Sequence, residues 1–397
     1  MKILFLTDNF PPEVNAPATR TYEHCKHWVK LGVDVTVVTC APNFPKGKLF
    51  KGYKNKLIQK EIVDGIKVIR VWTYISANKG FVKRILDYLS FMFASFIAGL
   101  FIKTDIIIAT SPQFFTAISG RWLSFWKRKH WIMEVRDLWP ESIKAVGAMK
   151  TGLAIRFFEY LEKRMYKSAH KIVVVTDSFK ETLIKKHNLS ENEITVIKNG
   201  VNSDLFFSSP KDHSLLNSLN LKDKFIIGYI GTHGMAHGLD FIFRSAKKIT
   251  NNDIHFLFLG DGAKKEELLK LKERLQLNNI TMLPSVKKEK VANYISILDV
   301  ALVNLKKSET FKHVLPSKIF ELCAMEKPIL LGVEGEAKKL IESYNVGVAF
   351  IPENEENYIK KLKEIQTKSF NSTNFENLKK DFNRENLAKK MLDYIIR

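Results

Sequence analysis

The sequence predicts an α/β protein of two doubly wound domains, each built on a parallel sheet. Three observations predict it. Residues 3–6 form a short apolar run, a polar loop follows, Pro17 can open a helix that stops at Gly32, and residues 33–39 form a second apolar run. Strand, loop, helix and strand on this scale make a βαβ unit, which calls for a parallel sheet. The same alternation starts afresh after residue 200, with a strand at 225–230 and a glycine-rich loop behind it. A chain of 397 residues also exceeds one ordinary domain and suits two. The expected domains are residues 1–200 and 201–375.

Apolar residues make up 45% of the chain, an ordinary share, but a net charge of +21 and a pI near 9.6 are not ordinary. The excess is uneven. Residues 1–200 carry 32 Lys and Arg against 17 Asp and Glu, whereas residues 201–397 carry 31 against 25. The first half is therefore the one expected to meet an anionic partner: nucleic acid, lipid headgroups or a pyrophosphate-linked acceptor. No recognised nucleic-acid module accompanies the charge, so nucleic acid is not the expected partner. Cys25, Cys40 and Cys323 lie far apart without metal-ligand spacing. They imply no disulfide framework and favour a reducing cytoplasm. The N-terminus lacks the long apolar core of a signal peptide and reads as a buried strand.

In the first half, the loop at 8–20 follows the first strand, at the sheet end where ligands bind. Residues 41–65, with Pro42, Pro45, Gly47, Gly52 and many lysines, read as an excursion before a strand at 66–72. Residues 89–102 are fourteen uncharged residues, including Phe91, Phe93, Phe96 and Phe101, flanked by Lys83, Arg84 and Lys103. Crossing a bilayer takes roughly 20 apolar residues, so this stretch does not span. Two readings stay open: a buried crossover helix, or a helix that dips partly into the membrane interface. The cluster Arg121-Trp-Leu-Ser-Phe-Trp-Lys-Arg-Lys-His130-Trp131 suits the second. Residues 106–109 form a strand ending in Thr110, Ser111 and Pro112, and residues 131–135 form the next, followed by Arg136-Asp-Leu-Trp-Pro-Glu-Ser142. Arg136 is a candidate contact to a phosphate and Asp137 a candidate to orient an acceptor hydroxyl; a structural Arg–Asp pair is the other reading. A helix at 151–168 with a core-facing stripe of Phe157, Phe158, Leu161 and Met165, a strand at 171–175, a helix at 178–187 and a strand at 194–197 complete the half. Asn199-Gly200 then signals a turn.

In the second half, Gly231-Thr-His-Gly-Met-Ala-His-Gly238 follows the strand at 225–230, and its three glycines let a phosphate approach the backbone. A strand at 255–259 with Gly260-Asp-Gly262, a helix at 264–275, a strand at 280–283 ending in Pro284-Ser-Val286, a helix at 291–297 and a strand at 299–304 follow. They lead to residues 313–328, His-Val-Leu-Pro-Ser-Lys-Ile-Phe-Glu-Leu-Cys-Ala-Met-Glu-Lys-Pro, a loop that becomes a helix. Pro316 fits the first turn, Ile319, Leu322 and Cys323 make an apolar face, and Lys327-Pro328 ends it before a strand at 329–331. The helix start offers free N–H groups at Ser317 and Lys318, a positive dipole end and an ammonium, which together suit a phosphate. Glu321, one turn inside, can accept hydrogen bonds from sugar hydroxyls. Diphosphate and hydroxyls together describe a nucleotide or a nucleotide-sugar; an ordinary charged surface helix is the alternative. A last strand at 347–350 and a helical stretch at 374–396 close the chain.

Pro316-Ser-Lys-Ile-Phe-Glu321 with Ala324-Met-Glu-Lys-Pro328 resembles the donor-binding motif of the family 4 retaining glycosyltransferases. Asn199-Gly-Val-Asn-Ser-Asp-Leu-Phe206 resembles the segment that leads out of their first domain, and Arg136-Asp-Leu-Trp-Pro-Glu-Ser142 resembles the L-fucosamine transferase-like subgroup of O-antigen and capsule synthesis. The resemblance implies a GT-B fold, two Rossmann-like domains facing a cleft, with the C-terminal helix (376–397) crossing back to the first domain. It implies a donor site of Gly231, Thr232, His233, His237, Val286, His313, Leu315, Pro316, Ser317, Lys318 and Glu321. Asp137, Lys318 and Glu321 would be catalytic, and Asn15, Ala16 and Arg136 would meet the acceptor. The chain departs from the family pattern in several places. His313 stands for the first of two motif glutamates, Thr232 and His237 for an Arg and a Lys of the glycine loop, Arg136 for a histidine, and Asn15-Ala16 for a Gly-Gly pair. Lys318 is then expected to bear more of the charge neutralisation, with His237 donating a hydrogen bond.

The implied function is retaining transfer of a sugar from a nucleotide-sugar, a UDP-sugar by analogy, to a glycan or polyprenyl-diphosphate-linked acceptor in surface polysaccharide synthesis. The protein would work in the cytoplasm, peripheral to the inner membrane face. No Asp-x-Asp pair suits a metal-held diphosphate, so no metal and no cofactor beyond the donor substrate are expected. A GT-B epimerase, an inverting transferase and a non-catalytic basic membrane- or nucleic-acid-binding protein are the alternatives.

Overall fold

The computed structural model describes residues 1–44, 47–76, 81–111, 114–139 and 152–397. Contacts divide the chain into two units, residues 1–198 with 384–397, and residues 199–383.

The first unit holds strands β1 (Lys2–Leu6), β2 (Asp34–Cys40), β3 (Ile58–Val63), β4 (Ile66–Val71), β5 (Ile106–Thr110), β6 (His130–Val135), β7 (Lys171–Val174) and β8 (Ile194–Val196). Among them lie helices α1 (Ala16–Lys30), α2 (Phe81–Leu100), α3 (Phe114–Lys127), α4 (Leu153–Ser168) and α5 (Asp177–His187). The sheet order is β3-β4-β2-β1-β5-β6-β7-β8, parallel except for β3. Apolar runs such as Ile3–Leu6 are covered on both faces, as a parallel sheet requires. Helix α1 starts where Asn15 accepts the Ala18 N–H at 2.9 Å and Pro17 sits in the first turn; Gly32, at φ +82°, follows its end.

A buried ion pair ties this unit together. Arg20 of α1 donates Nε to Glu134 Oε1 of β6 at 2.8 Å, and its other nitrogens reach the carbonyls of Ile197 and Lys198 at 2.9 Å. Burial alone would push the Glu134 carboxyl up, but the Arg20 and Arg136 guanidinium groups hold it below the usual range. The C-terminal helix (Arg384–Ile396) also packs here. Its Leu387, Ala388, Met391 and Leu392 share a core with Ile3, Phe5 and Trp28; Trp28 Nε1 donates to the Ala388 carbonyl at 2.8 Å, and Arg384 pairs with Glu23 at 2.9 Å.

The second unit holds β9 (Phe225–Ile230), β10 (Ile254–Leu259), β11 (Ile280–Leu283), β12 (Val300–Asn304), β13 (Ile329–Gly332) and β14 (Gly347–Ala349). Its helices are α6 (His213–Ser218), α7 (Leu239–Ala246), α8 (Lys265–Leu275), α9 (Lys288–Ser296), α10 (Lys318–Ala324), α11 (Glu336–Tyr344), α12 (Glu355–Thr367) and α13 (Ser372–Asp381). The sheet is wholly parallel, in the order β11-β10-β9-β12-β13-β14. Each unit is thus Rossmann-like, two α/β domains on parallel sheets.

Three sequence expectations are corrected. Residues 41–65 are not wholly an excursion: β3 pairs antiparallel with β4 through a turn at Asp64 and Gly65, whose φ angles of +47° and +81° are the hairpin signature that reading passed over. The helix expected from residue 89 begins at Phe81, so its first turns carry Lys83, Arg84 and Asp87. The stretch at 374–396 is two helices broken at Phe382 and Asn383, and the one that packs on the first unit starts at Arg384 rather than 376. Pro112 and residues 140–142 lie outside the described residues.

All six tryptophans lie within residues 28–139, so their fluorescence reports the first unit alone. Arg20→Ala leaves Glu134 buried without its guanidinium partner and is expected to cost that unit about 3–5 kcal/mol. Urea unfolding followed by tryptophan emission measures it, and a loss under ~0.5 kcal/mol, the level of a surface change, would contradict the assigned role.

Candidate active site

In the second unit the strand order reverses between β9 and β12, and open α/β sheets bind ligands beyond the carboxyl ends of strands at such a reversal. The loop after β9 runs beside the loop after β10. Gly231 N–H donates to Leu259 O, His233 N–H to Asp261 O and Lys264 N–H to His233 O, each at 2.9 Å. The fit requires glycine: a Cβ on Gly260 (φ +153°) would lie 1.9 Å from Gly231 O, and one on Gly262 (φ +156°) 2.6 Å from His233 O. The far end of the loop is pinned to β12, where Asn304 Nδ2 donates to His237 O at 2.7 Å and Lys306 N–H to Ala236 O at 2.9 Å.

Tyr229 of β9 is the floor of this loop. Fully buried, it donates its hydroxyl to Thr232 O at 2.8 Å. The rings of His233 and His237 each lie 5.9 Å from its ring, and the Lys318 ammonium sits 3.8 Å from the ring centroid. Among the described residues Lys318 Nζ is buried and makes no hydrogen bond; it lies against the ring face. A Cβ on Gly231 would come within 2.8 Å of that nitrogen, so the glycine makes room for the ammonium. Burial pushes Lys318 down to about 7, against the opposing pull of Glu321. Burial likewise brings His237 to about 3 and His233 to about 4, with the Lys318 charge adding to both. At neutral pH the imidazoles are therefore uncharged. The Nδ1 of His237 and both ring nitrogens of His233 have no hydrogen-bond partner among the described residues. An ammonium held out of water without an acceptor is set up to take one from an anionic ligand.

The helix expected to carry the phosphate contact is shorter than the sequence reading has it. α10 spans seven residues, Pro316 lies ahead of it, and Glu326 in the left-handed region (φ +54°) turns the chain away, with Lys327 N–H donating to Leu322 O at 3.0 Å. Ile319 N–H and Phe320 N–H already bond to Pro316 O and Ser317 O at 3.1 and 3.2 Å. So short a helix sums few peptide dipoles, and the attraction for an anion falls on the Lys318 ammonium. Glu321, one turn on, is half-buried. Leu315 is buried, Pro316 and Ser317 are half-buried, and Thr232, within the glycine loop, is exposed.

The structure thus gathers Gly231, Thr232, His233, His237 and Lys318 around Tyr229. It places Val286 after β11, two strands from β9 in the sheet order, and His313 at the end of a 3-10 turn, Thr310–His313. His233 lies wholly inside, beneath the loop. The sequence reading passed over Tyr229 and Asn304, which look like ordinary residues of buried strands; only their nearness to the glycine loop marks them.

In the first unit the order reverses between β1 and β5. Arg136, just after β6, donates its N–H to Ser111 Oγ at 2.9 Å, while Nε and Nη1 of its guanidinium are buried without an acceptor among the described residues. Burial pushes it down to about 9, with the Glu134 charge opposing, so it stays cationic at neutral pH. Asp8, following β1, is pushed up by burial and pulled down by Arg136. Asp137 is half-buried beside Arg136, and Ala16 is exposed at the first turn of α1. Asn15 is occupied as the α1 cap and by Asn9.

Residues 17–205 match the Glycosyltransferase Family 4 profile, and residues 214–384 match the Glycosyl transferases group 1 profile. WcaI of Escherichia coli (strain K12), a glycosyl transferase assigned to colanic acid biosynthesis, is 23% identical over the full length of both chains. Among solved structures, sucrose-phosphate synthase from Thermosynechococcus elongatus superposes with a TM-score of 0.75 at 14% identity, over 99% of this chain and 97% of that one. HepE of Anabaena, solved in complex with UDP-glucose, superposes with a TM-score of 0.69 at 15% identity, over 99% and 98%.

A buried ammonium without a hydrogen bond among the described residues destabilises the free protein. Because Lys318 titrates lower in the folded chain than in the unfolded one, wild-type stability rises as pH climbs from about 7 towards the unfolded value. Lys318→Met is therefore expected to unfold at higher urea than wild type at pH 7, with the gap narrowing as pH is raised. Equal midpoints at pH 7 would contradict the burial of the charge.

Proposed function

We propose a reaction on the premise that this chain is a family 4 glycosyltransferase of GT-B fold, as its two successive domain matches and its structural neighbours establish. The proposed reaction is retaining transfer of a sugar from a nucleotide-sugar to a glycan or polyprenyl-diphosphate-linked acceptor in surface polysaccharide synthesis. The observation that carries it is the buried, unpartnered Lys318 ammonium against Gly231 and Tyr229. A donor diphosphate seated there would receive that charge and the neutral His237 imidazole, whose Nδ1 has no other partner. As the bond between the anomeric carbon and the phosphate oxygen breaks, negative charge builds on the leaving diphosphate, and fixed donors in a dry site stabilise it most. Glu321, through its carboxylate, would hold the nucleotide's ribose hydroxyls. The acceptor hydroxyl would form the new bond on the face the diphosphate leaves, and the leaving phosphate oxygen would take its proton. The charge is met by Lys318, so the reading calls on no metal, and transfer should persist in EDTA.

UDP is the proposed nucleotide, by analogy with HepE bound to UDP-glucose, and the polysaccharide setting follows WcaI. The Arg136 segment supports an amino sugar of the L-fucosamine kind. The Arg136 guanidinium, whose Nε and Nη1 lack acceptors among the described residues, suits the phosphates of a lipid-linked acceptor, with Asp137 orienting its hydroxyl. Such an acceptor would bring the protein to the inner membrane face.

Thermal-shift screening against UDP-, GDP-, ADP- and TDP-sugars is expected to single out UDP-sugars, with the shift lost in Lys318→Ala. In transfer assays, Lys318→Ala and Glu321→Ala should remain folded while losing about 10²–10³ in rate, the scale of removing one transition-state contact. No stabilisation by any nucleotide-sugar, or full activity in both variants, would remove the site assignment. NMR of the product should show the donor's anomeric configuration; an inverted centre would exclude the front-face mechanism.

A further inference from the structure

We propose that the outer face of α2 and α3 in the first unit is a docking surface for an anionic lipid bilayer; this rests on, and deepens, the reading of a lipid-linked acceptor. Helix α2 is apolar on two sides. Phe91, Met92, Ser95 and Ala98 face inward and are buried. Leu86, Phe93, Ile97 and Leu100 stay exposed, at steps of seven, four and three, and so form one continuous outward stripe. A crossover helix needs only the inner face. The sequence left a buried helix and an interfacial helix as alternatives; α2 has a face for each.

The stripe widens at its carboxyl end. A Cβ on Gly99 would lie 2.5 Å from Leu123, so the glycine lets α3 approach closely, and Lys127 Nζ donates to Leu100 O at 2.9 Å. That bond sets the ends of the two helices side by side. Phe101 at 84% exposed, Phe125 at 79% and Trp126 at 69% gather there. Such an aromatic group in water is costly on its own and marks a contact surface.

Charge selects the occupant. Residues 88–133 contain Lys103, Arg121, Lys127, Arg128 and Lys129 against a single acid, Asp105, which accepts the Lys2 N–H at 2.8 Å. Aromatic rings ringed by cations fit the headgroup level of an anionic bilayer, where rings enter the interface and each Lys or Arg strengthens the attraction. A protein partner would favour a surface core depleted of lysine. No helix among the described residues is long and apolar enough to cross a membrane, so α2 would lie along the surface.

The test is co-sedimentation of the full chain, at low salt, with vesicles of phosphatidylcholine alone or mixed equally with phosphatidylglycerol. Wild type should sediment with the mixed vesicles and weakly with the neutral ones. The double variants F101S/W126S and R128E/K129E should each lose about tenfold or more in binding, with unchanged thermal midpoints. Absence of wild-type binding to anionic vesicles, or wild-type binding by both variants, would overturn the proposal. So would light scattering that shows a wild-type dimer converted to monomer by F101S/W126S, which would assign the face to a second copy of the chain. The UDP-sugar thermal shift, read on the same samples, separates the two readings. A shift without vesicle binding removes only the docking face; vesicle binding without a shift removes only the donor reading.

Discussion

The second unit is arranged around one charge that has nowhere to go. Lys318 Nζ is buried, lies over the Tyr229 ring and makes no hydrogen bond among the described residues. The loop beside that ammonium is closely fitted. Gly231 must lack a Cβ; Gly260 and Gly262 must lack theirs so that the Gly231 loop can fold down; Asn304 must hold the loop's far end. Each costs some backbone or packing freedom, and the parallel sheet beneath supplies the stability to tolerate it. The neutral histidines follow from the same constraint, because burial beside a cation leaves no room for a second positive charge.

The first unit repeats this logic with different residues. At the carboxyl ends of its central strands, Arg136 holds two guanidinium nitrogens without acceptors among the described residues, beside the buried Arg20–Glu134 pair. One arginine is structural and its neighbour is left with donors to spare. Each unit thus carries a buried cation near the carboxyl ends of its parallel strands, where such sheets bind ligands. Further out, the same unit has dedicated the inner side of α2 to its core and left the outer side apolar, a division that packing alone does not require.

The sequence disclosed the sheet-and-helix rhythm and the division into two units because both rest on apolar periodicity, which is local. It also singled out Gly231 and Lys318, which the structure sets side by side, since a glycine loop after a strand and a lysine at a helix start are both residue types that suit phosphate. Tyr229 was not legible: Phe-Ile-Ile-Gly-Tyr-Ile reads as a buried strand whether or not its tyrosine supports an ammonium. The length of α10 was misjudged for a similar reason. Its apolar face continues to Ala324, and only the left-handed turn at Glu326, fixed by tertiary contacts, brings it to an early end. The β3 edge strand was hidden because its side chains alternate towards solvent, with Ile58 and Ile62 both exposed, leaving Asp64-Gly65 as its only local mark.

The central claim is that Lys318 is an ammonium out of water and awaiting an anion. NMR of the protein labelled with ¹³C at the lysine side chains tests it most directly, the Lys318 signal being the one missing from Lys318→Met. The account predicts titration near pH 7 in the free protein and a rise towards the ordinary lysine range when UDP-sugar is added. A Lys318 signal that titrates in the ordinary range from the start, or that ignores UDP-sugar, would contradict it.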